Sequence, residues 1–235
     1  MRITLIGHST VLLETGGKRI LTDPYFGEWG NPVFGRIPPP ALKREELLDV
    51  NFVLVSHHHF DHLDGSFFRK LDRNIPVYAP WWTSWITRLW GAKRVIGMRT
   101  WESLDLQGIR VTAVPAIHLD VSIGYVIQAE GKNIYFSGDT FFGQFMAEIA
   151  RRFPPDVALL PVTTYRIPMT MGEQGAVKAA GVLSPKVIIP IHEGLRPRFP
   201  LLRTRQSPQG FRERLRTAGN PARVAVLGEG ESLNL

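Results

Sequence analysis

The chain has 235 residues, 44% apolar and 21% charged, the balance of an ordinary globular protein long enough to bury a core. It contains no cysteine, which excludes disulfides, thiolate nucleophiles and cysteine-rich zinc sites, so any metal must be held by His, Asp or Glu. The net charge is +7, from 28 basic and 21 acidic side chains, and no apolar run approaches the ~18 residues of a membrane helix.

The opening MRITLIGHSTVLLE alternates like a strand and carries no signal-peptide pattern, which predicts a cytoplasmic protein. Strands are expected at 3–6, 11–14 and 19–21 as an antiparallel meander, with Gly16 and Gly17 as a hairpin turn. Residues 24–42 hold five Pro and three Gly and read as a long irregular loop. A short apolar strand follows at 52–55, then strands at 76–79, 94–96, 110–114, 122–127 and 133–136. Beyond them the pattern predicts a helix at 142–152, a strand at 157–160, a helix at 173–183, a strand at 187–190, a helix at 209–218 and a last strand at 224–226. Strand-rich passages that each give way to strand–helix alternation suggest a layered α/β architecture, two sheets face to face with helices outside.

Two stretches stand apart. Trp81, Trp82, Trp85, Ile86, Leu89 and Trp90 have helical spacing, which reads first as a core stripe and second as an apolar patch for a partner subunit or a greasy substrate. Between Arg196 and Arg216 lie seven arginines opposed by Glu213 alone. Such a run fits nucleic acid or phosphate. A solvated basic surface is the favoured reading, because no aromatics interleave it as a stacking platform requires.

The chemistry concentrates in VLVSHHHFDHLD, residues 53–64, where four of the seven histidines and an aspartate fall within six positions just past a strand. The carboxyl end of a strand is where α/β sheets bind ligands. In an extended loop, residues two apart face the same side, so His57 and His59 can reach one metal ion. Asp61 and His62, after a turn, can reach a second. His118 in VPAIHLD, Asp139 in YFSGDT and His192 in IIPIHEG each follow another apolar strand and supply further donors. Separate strand ends converging on one donor set point to a binuclear site.

His57-x-His59-x-Asp61-His62, with His118, Asp139 in SGDT and His192, resembles the metallo-β-lactamase superfamily in its metal-dependent hydrolase part. GHST at 7–10, LTDP at 21–24 and TMG at 170–172 are similar to a branch that includes ascorbate-phosphate lactonase-like proteins and the phospholipase D acting on N-acyl phosphatidylethanolamine. The likeness covers nearly the whole chain and implies a single domain, 1–235, with an α/β fold: a four-layer αββα sandwich of two mixed sheets flanked by helices. It implies that His57, His59 and His118 hold one ion, that Asp61, His62 and His192 hold the other, and that Asp139 bridges them. Two divalent ions are expected, zinc first, with Mn, Fe or Ni also accepted by such ligands. Glu193 after His192 and MGEQGA after the TMG stretch depart from the branch, and both lie near the expected pocket.

The expected activity is a hydrolase whose metal-bridging hydroxide attacks an ester-type bond, phosphodiester or lactone, in a small anionic or strongly polarised substrate. Asp61 is expected to pass a proton as well as bind metal, and Tyr165 to donate to an oxyanion. Asp23 is expected to fix a ligand histidine's tautomer, a turn before Pro24 being its bland alternative. Thr140 either orients Asp139 or caps the following helix. His8 lines the pocket or is structural, and His58 points away. The alternatives are a di-iron redox protein on the same scaffold and a nucleic-acid-binding relative using the arginine run. The first places Glu where His59 stands and adds a flavin module, neither of which is present. The second is opposed by a full ligand set. Oligomeric state is open, a homo-oligomer being one use for the tryptophan stripe.

Overall fold

The computed structural model describes residues 1–27, 34–36 and 40–235. The first half of the chain carries β1 (Arg2–Gly7), β2 (Thr10–Thr15), β3 (Lys18–Thr22), β4 (Phe34–Arg36), β5 (Phe52–Leu54), α1 (Gly65–Lys70), β6 (Pro76–Pro80), α2 (Ser84–Leu89) and β7 (Arg94–Met98). The second carries β8 (Ser103–Asp105), β9 (Arg110–Pro115), β10 (Ile123–Ala129), β11 (Lys132–Phe136), α3 (Phe145–Arg152), β12 (Val157–Pro161), α4 (Gly172–Leu183), β13 (Val187–Ile191), β14 (Leu195–Pro197), α5 (Pro208–Thr217), β15 (Arg223–Val224) and β16 (Ser232–Asn234). One sheet runs β16-β1-β2-β3-β5-β6-β7 and the other β15-β13-β12-β11-β10-β9-β8, while β4 and β14 form a small ribbon.

Both sheets are mixed, with antiparallel meanders passing into parallel strands. Strands buried on both faces read as continuous apolar runs, and alternate residues sort them into layers. Leu13, Leu54, Val111, Tyr125, Ile134, Val157 and Leu159 face inward and form the core between the sheets. Their neighbours Leu12, Val53 and Val55 face outward against Phe67 and Phe68 of α1. In the second sheet Val126, Ala158, Leu160 and Ile188 face Met146 and Ile149 of α3, Ala176 and Ala180 of α4, and Phe211 of α5. This is the expected αββα sandwich.

Several elements differ from expectation. The helix expected at 142 begins at Phe145, because Thr140 and Phe141 hold loop contacts with Met171 and Ile117 instead. Within 24–42, residues 34–36 form β4, paired with β14; the remainder of that loop expectation lies partly outside the described residues. Most of the tryptophan stripe is not core: Trp82 is 77% and Leu89 74% exposed, with Trp85 and Trp81 also exposed, while Trp90 packs half-buried against the cluster around Phe67 and Phe68. The arginines from 196 to 216 are exposed as well. No helix among the described residues is long and apolar enough to cross a membrane.

Candidate metal centre

Strands β1, β3, β5, β9, β11 and β13 all end at one rim of the sandwich, and their next residues supply the polar cluster. His8 follows β1, Asp23 follows β3, and His57, His59, Asp61 and His62 follow β5. His118 follows β9, Asp139 follows β11 and His192 follows β13. The loop bearing Asp139 can approach because Gly138 has no side chain: a Cβ there would lie 2.5 Å from Ser56 Cβ, and its φ is +56°. His8, Asp23 and His192 also sit at positive φ (55°, 37° and 65°), conformations that cost of order 1–3 kcal/mol and collect at functional sites.

Donor atoms gather in two main groups, and Asp23 forms a third, overlapping set with His57 and His62. His57, His59 and His118 offer ligand atoms within 4.8 Å of one another, and so do His8, Asp61, His62 and His192. Asp139 Oδ2 lies between the groups, 3.0 Å from His192 Nε2, 3.5 Å from His62 Nε2, 3.9 Å from His118 Nε2 and 4.0 Å from His57 Nε2. All seven expected ligands are therefore brought together. His58 turns away, its Nε2 3.1 Å from Thr87 Oγ1 on α2, as expected of a spectator.

Outer partners hold the rings. Asp23 is fully buried and accepts from His62 Nδ1 at 2.8 Å. It also accepts from the Ser56 amide and hydroxyl, each at 2.6 Å, and Ser56 Oγ lies 2.9 Å from His57 Nδ1. One carboxylate thus orients a histidine in each group, directly for His62 and through Ser56 for His57. Ser56 was not singled out from sequence; its position between a buried strand and the first histidine was the available signal. The Thr163 hydroxyl donates to the His192 carbonyl, and Tyr125 donates to the Val55 carbonyl at 2.7 Å beneath the histidine loop.

The remaining sequence candidates divide. Thr140 does neither job expected of it: its hydroxyl accepts from the Ile117 amide at 2.9 Å, pinning the loop that carries His118. Tyr165 sits with its ring 6.1 Å from that of His192 and 4.6 Å from that of Phe34, beside a cavity of about 350 Å³ lined also by Glu193, Arg196 and Arg203. Burial, then Asp61 and Asp139, push its hydroxyl pKa up, so it keeps its proton at neutral pH. His8 is buried, with Nε2 3.2 Å from Asp61 Oδ2 and Nδ1 3.0 Å from the Glu193 carbonyl oxygen.

Electrostatics follow from burial. Burial alone would raise Asp139 and Asp61, yet His192 and His62 hold Asp139 well below the carboxylate range, and His62 and His8 do the same for Asp61. Burial, then the neighbouring His62, depress His57 well below its usual value, and burial takes His118 down to about 4. His57 Nε2, His62 Nε2, His118 Nδ1, His192 Nδ1 and Asp139 Oδ1 are buried with no hydrogen-bond partner among the described residues. Against burial, Asp139 and Asp61 hold the His62 and His192 pKa values up, so in the metal-free protein protons offset the buried carboxylates. Buried polar atoms are normally paired, and a divalent cation that binds such donors displaces those protons.

The sequence model of the beta-lactamase superfamily domain matches residues 18–192, about three quarters of the chain. The chain belongs to the beta-lactamase superfamily. Within it, a UPF0173 metal-dependent hydrolase of Archaeoglobus fulgidus is 32% identical over 99% of this chain and 98% of its own. Another, of Pelotomaculum thermopropionicum, is 32% identical over the full length of both. Among solved structures, Igni18, a metallo hydrolase of Ignicoccus hospitalis, superposes with a TM-score of 0.79 at 26% identity, covering 99% of this chain and 97% of that one. This beta-lactamase superfamily member is a metal-dependent hydrolase, and its histidine–aspartate cluster is the place that could bind the metal.

Proposed function

We propose that this enzyme is a binuclear hydrolase of an ester-type bond, phosphodiester or lactone, in a small anionic substrate. The observation that carries the reading is the pair of donor groups meeting at Asp139, with His57 Nε2, His62 Nε2 and Asp139 Oδ1 buried and unpaired. His57, His59 and His118 would hold one ion, Asp61, His62 and His192 the other, with Asp139 shared. Zinc suits these nitrogen and oxygen donors. When bound, such ions bring the pKa of water from 15.7 toward about 7 and polarise a carbonyl or phosphoryl oxygen.

The chain's own groups do the rest. Asp23 keeps His57 and His62 in the tautomers that turn Nε2 inward. Asp61 takes a proton from the attacking water and returns it to the leaving oxygen. Tyr165, protonated at neutral pH, donates to the oxygen on which charge develops. Arg196, in the cavity that Tyr165 lines, supplies positive charge for an anionic group.

Elemental analysis of the purified enzyme, followed by assay against bis-aryl phosphates, lactones and β-lactams, tests the reading. Two ions per chain and chelator-sensitive turnover of a phosphodiester or lactone are expected. One ion per chain, or hydrolysis confined to amide bonds, overturns it.

A further inference from the structure

We infer that His8 is itself a metal ligand, adding its Nε2 to Asp61, His62 and His192 in the second group; this rests on the two-ion reading above. His8 lies outside residues 18–192, so the family match does not reach it.

Its position is built by backbone. The β1–β2 register shifts between Leu5 and Gly7, and His8 then takes φ 55° and forms an isolated antiparallel bridge with Glu193 of the other sheet. The His192 amide donates to the His8 carbonyl at 3.1 Å, which sets the two rings 4.4 Å apart. His8 thus joins the second group through a contact between sheets.

The tautomer follows from what the ring faces. Nδ1 lies 3.0 Å from the Glu193 carbonyl oxygen, which can only accept, and we assign the hydrogen to Nδ1, where it completes that contact. In a neutral imidazole Nε2 then presents a lone pair, and 3.2 Å in front of it is Asp61 Oδ2, another acceptor. Two acceptors aimed at each other in a buried place require a cation or a proton between them. An Nδ1–H given to a backbone carbonyl, with Nε2 turned to a cluster of donors, is the arrangement of metal-ligating histidines. The rival role is a proton on Nε2, which would make His8 a positioning residue for Asp61.

The test titrates metal-stripped wild type and His8→Asn with Co(II), following stoichiometry by equilibrium dialysis and the visible absorption of the bound ion. Two ions are expected in the wild type. The variant should bind the first ion as the wild type does and the second at least tenfold more weakly, with an altered absorption band. A crystal structure of the zinc-loaded wild type, which does not depend on the variant folding, should place His8 Nε2 about 2.0–2.1 Å from an ion. Weakened binding with an unchanged band, or Nε2 still hydrogen-bonded to Asp61 and away from the ion, makes His8 a positioning residue and overturns the inference alone. A wild type that takes up no second ion overturns the two-ion reading instead.

Discussion

At the end of the sandwich away from the cluster, Glu130 in the β10–β11 turn reaches across to the first sheet. It accepts from Thr15 Oγ1 at 2.9 Å and from the Gly16 amide at 2.8 Å, and pairs with the Met1 ammonium at 3.0 Å. At the rim end the sheets also meet through polar groups, with His8 bridging to Glu193 and Asp139 set among the histidines of both halves. The Glu130 contacts lie at the surface and every one has its partner. The rim contacts are buried and leave ring nitrogens and a carboxylate oxygen unpaired. A satisfied exposed clasp costs little and does little else, whereas buried unsatisfied groups persist only where something else completes them. The first end holds the sheets together; the second holds chemistry.

The strongest way to break that contrast is at Asp139, which both donor groups approach. Asp139→Asn should lower kcat/KM well beyond the ~10–100-fold expected when a mere outer partner is lost, and should release metal measurable by elemental analysis. A variant that keeps its metal and its turnover would place the chemistry elsewhere. Chelation comes next. An ion present at 100 times its Kd stabilises the folded state by about 2.7 kcal/mol, roughly 5–10 °C in Tm for a chain of this size. Removing metal should therefore lower the melting temperature by that order and abolish hydrolysis, and an unchanged melt would mean that the cluster binds no ion tightly.

A finer division lies between Asp23 and Ser56. Asp23→Asn disturbs His62 directly and His57 through Ser56, so it should weaken both ions by ~10–100-fold. Ser56→Ala breaks only the branch to His57, so it should weaken one ion and spare the other in a metal titration. Equal effects of the two substitutions on both ions would show that Asp23 acts by burial rather than through its hydrogen bonds.

How far this was legible follows from where each signal resides. His57, His59, Asp61 and His62 are neighbours in the chain, and His118, Asp139 and His192 each follow an apolar strand, so local pattern was enough. Ser56 escaped because its role depends on Asp23, 33 residues earlier. β16 escaped because it is three residues long and pairs with β1 at the other end of the chain. α1 is only six residues, although Asp64 accepting from the Ser66 and Phe67 amides was a readable cap. The tryptophan helix shows the opposite failure. Its period was plain, but periodicity defines a face without saying whether that face meets protein or water, and here Trp82, Trp85 and Leu89 meet water.

The smallest expected effect belongs to the clasp. The Gly16 amide, the Met1 ammonium and Thr15 hold the Glu130 carboxyl down to about 2, against an ordinary value near 4.5. Because the folded state binds that proton less readily than the unfolded chain, Glu130 favours folding above pH 4.5, and its contribution is lost as pH falls from there through about 2. Glu130→Gln should therefore lower the melting temperature slightly at neutral pH, leave metal content and hydrolysis untouched, and flatten the fall of Tm across that acid window. The site carboxylates Asp61 and Asp139 are held down as well, so the wild type keeps some acid dependence after the substitution. If Glu130→Gln altered turnover or metal uptake, the two ends of the sandwich would be coupled through the sheets, and the division between holding and reacting would fail.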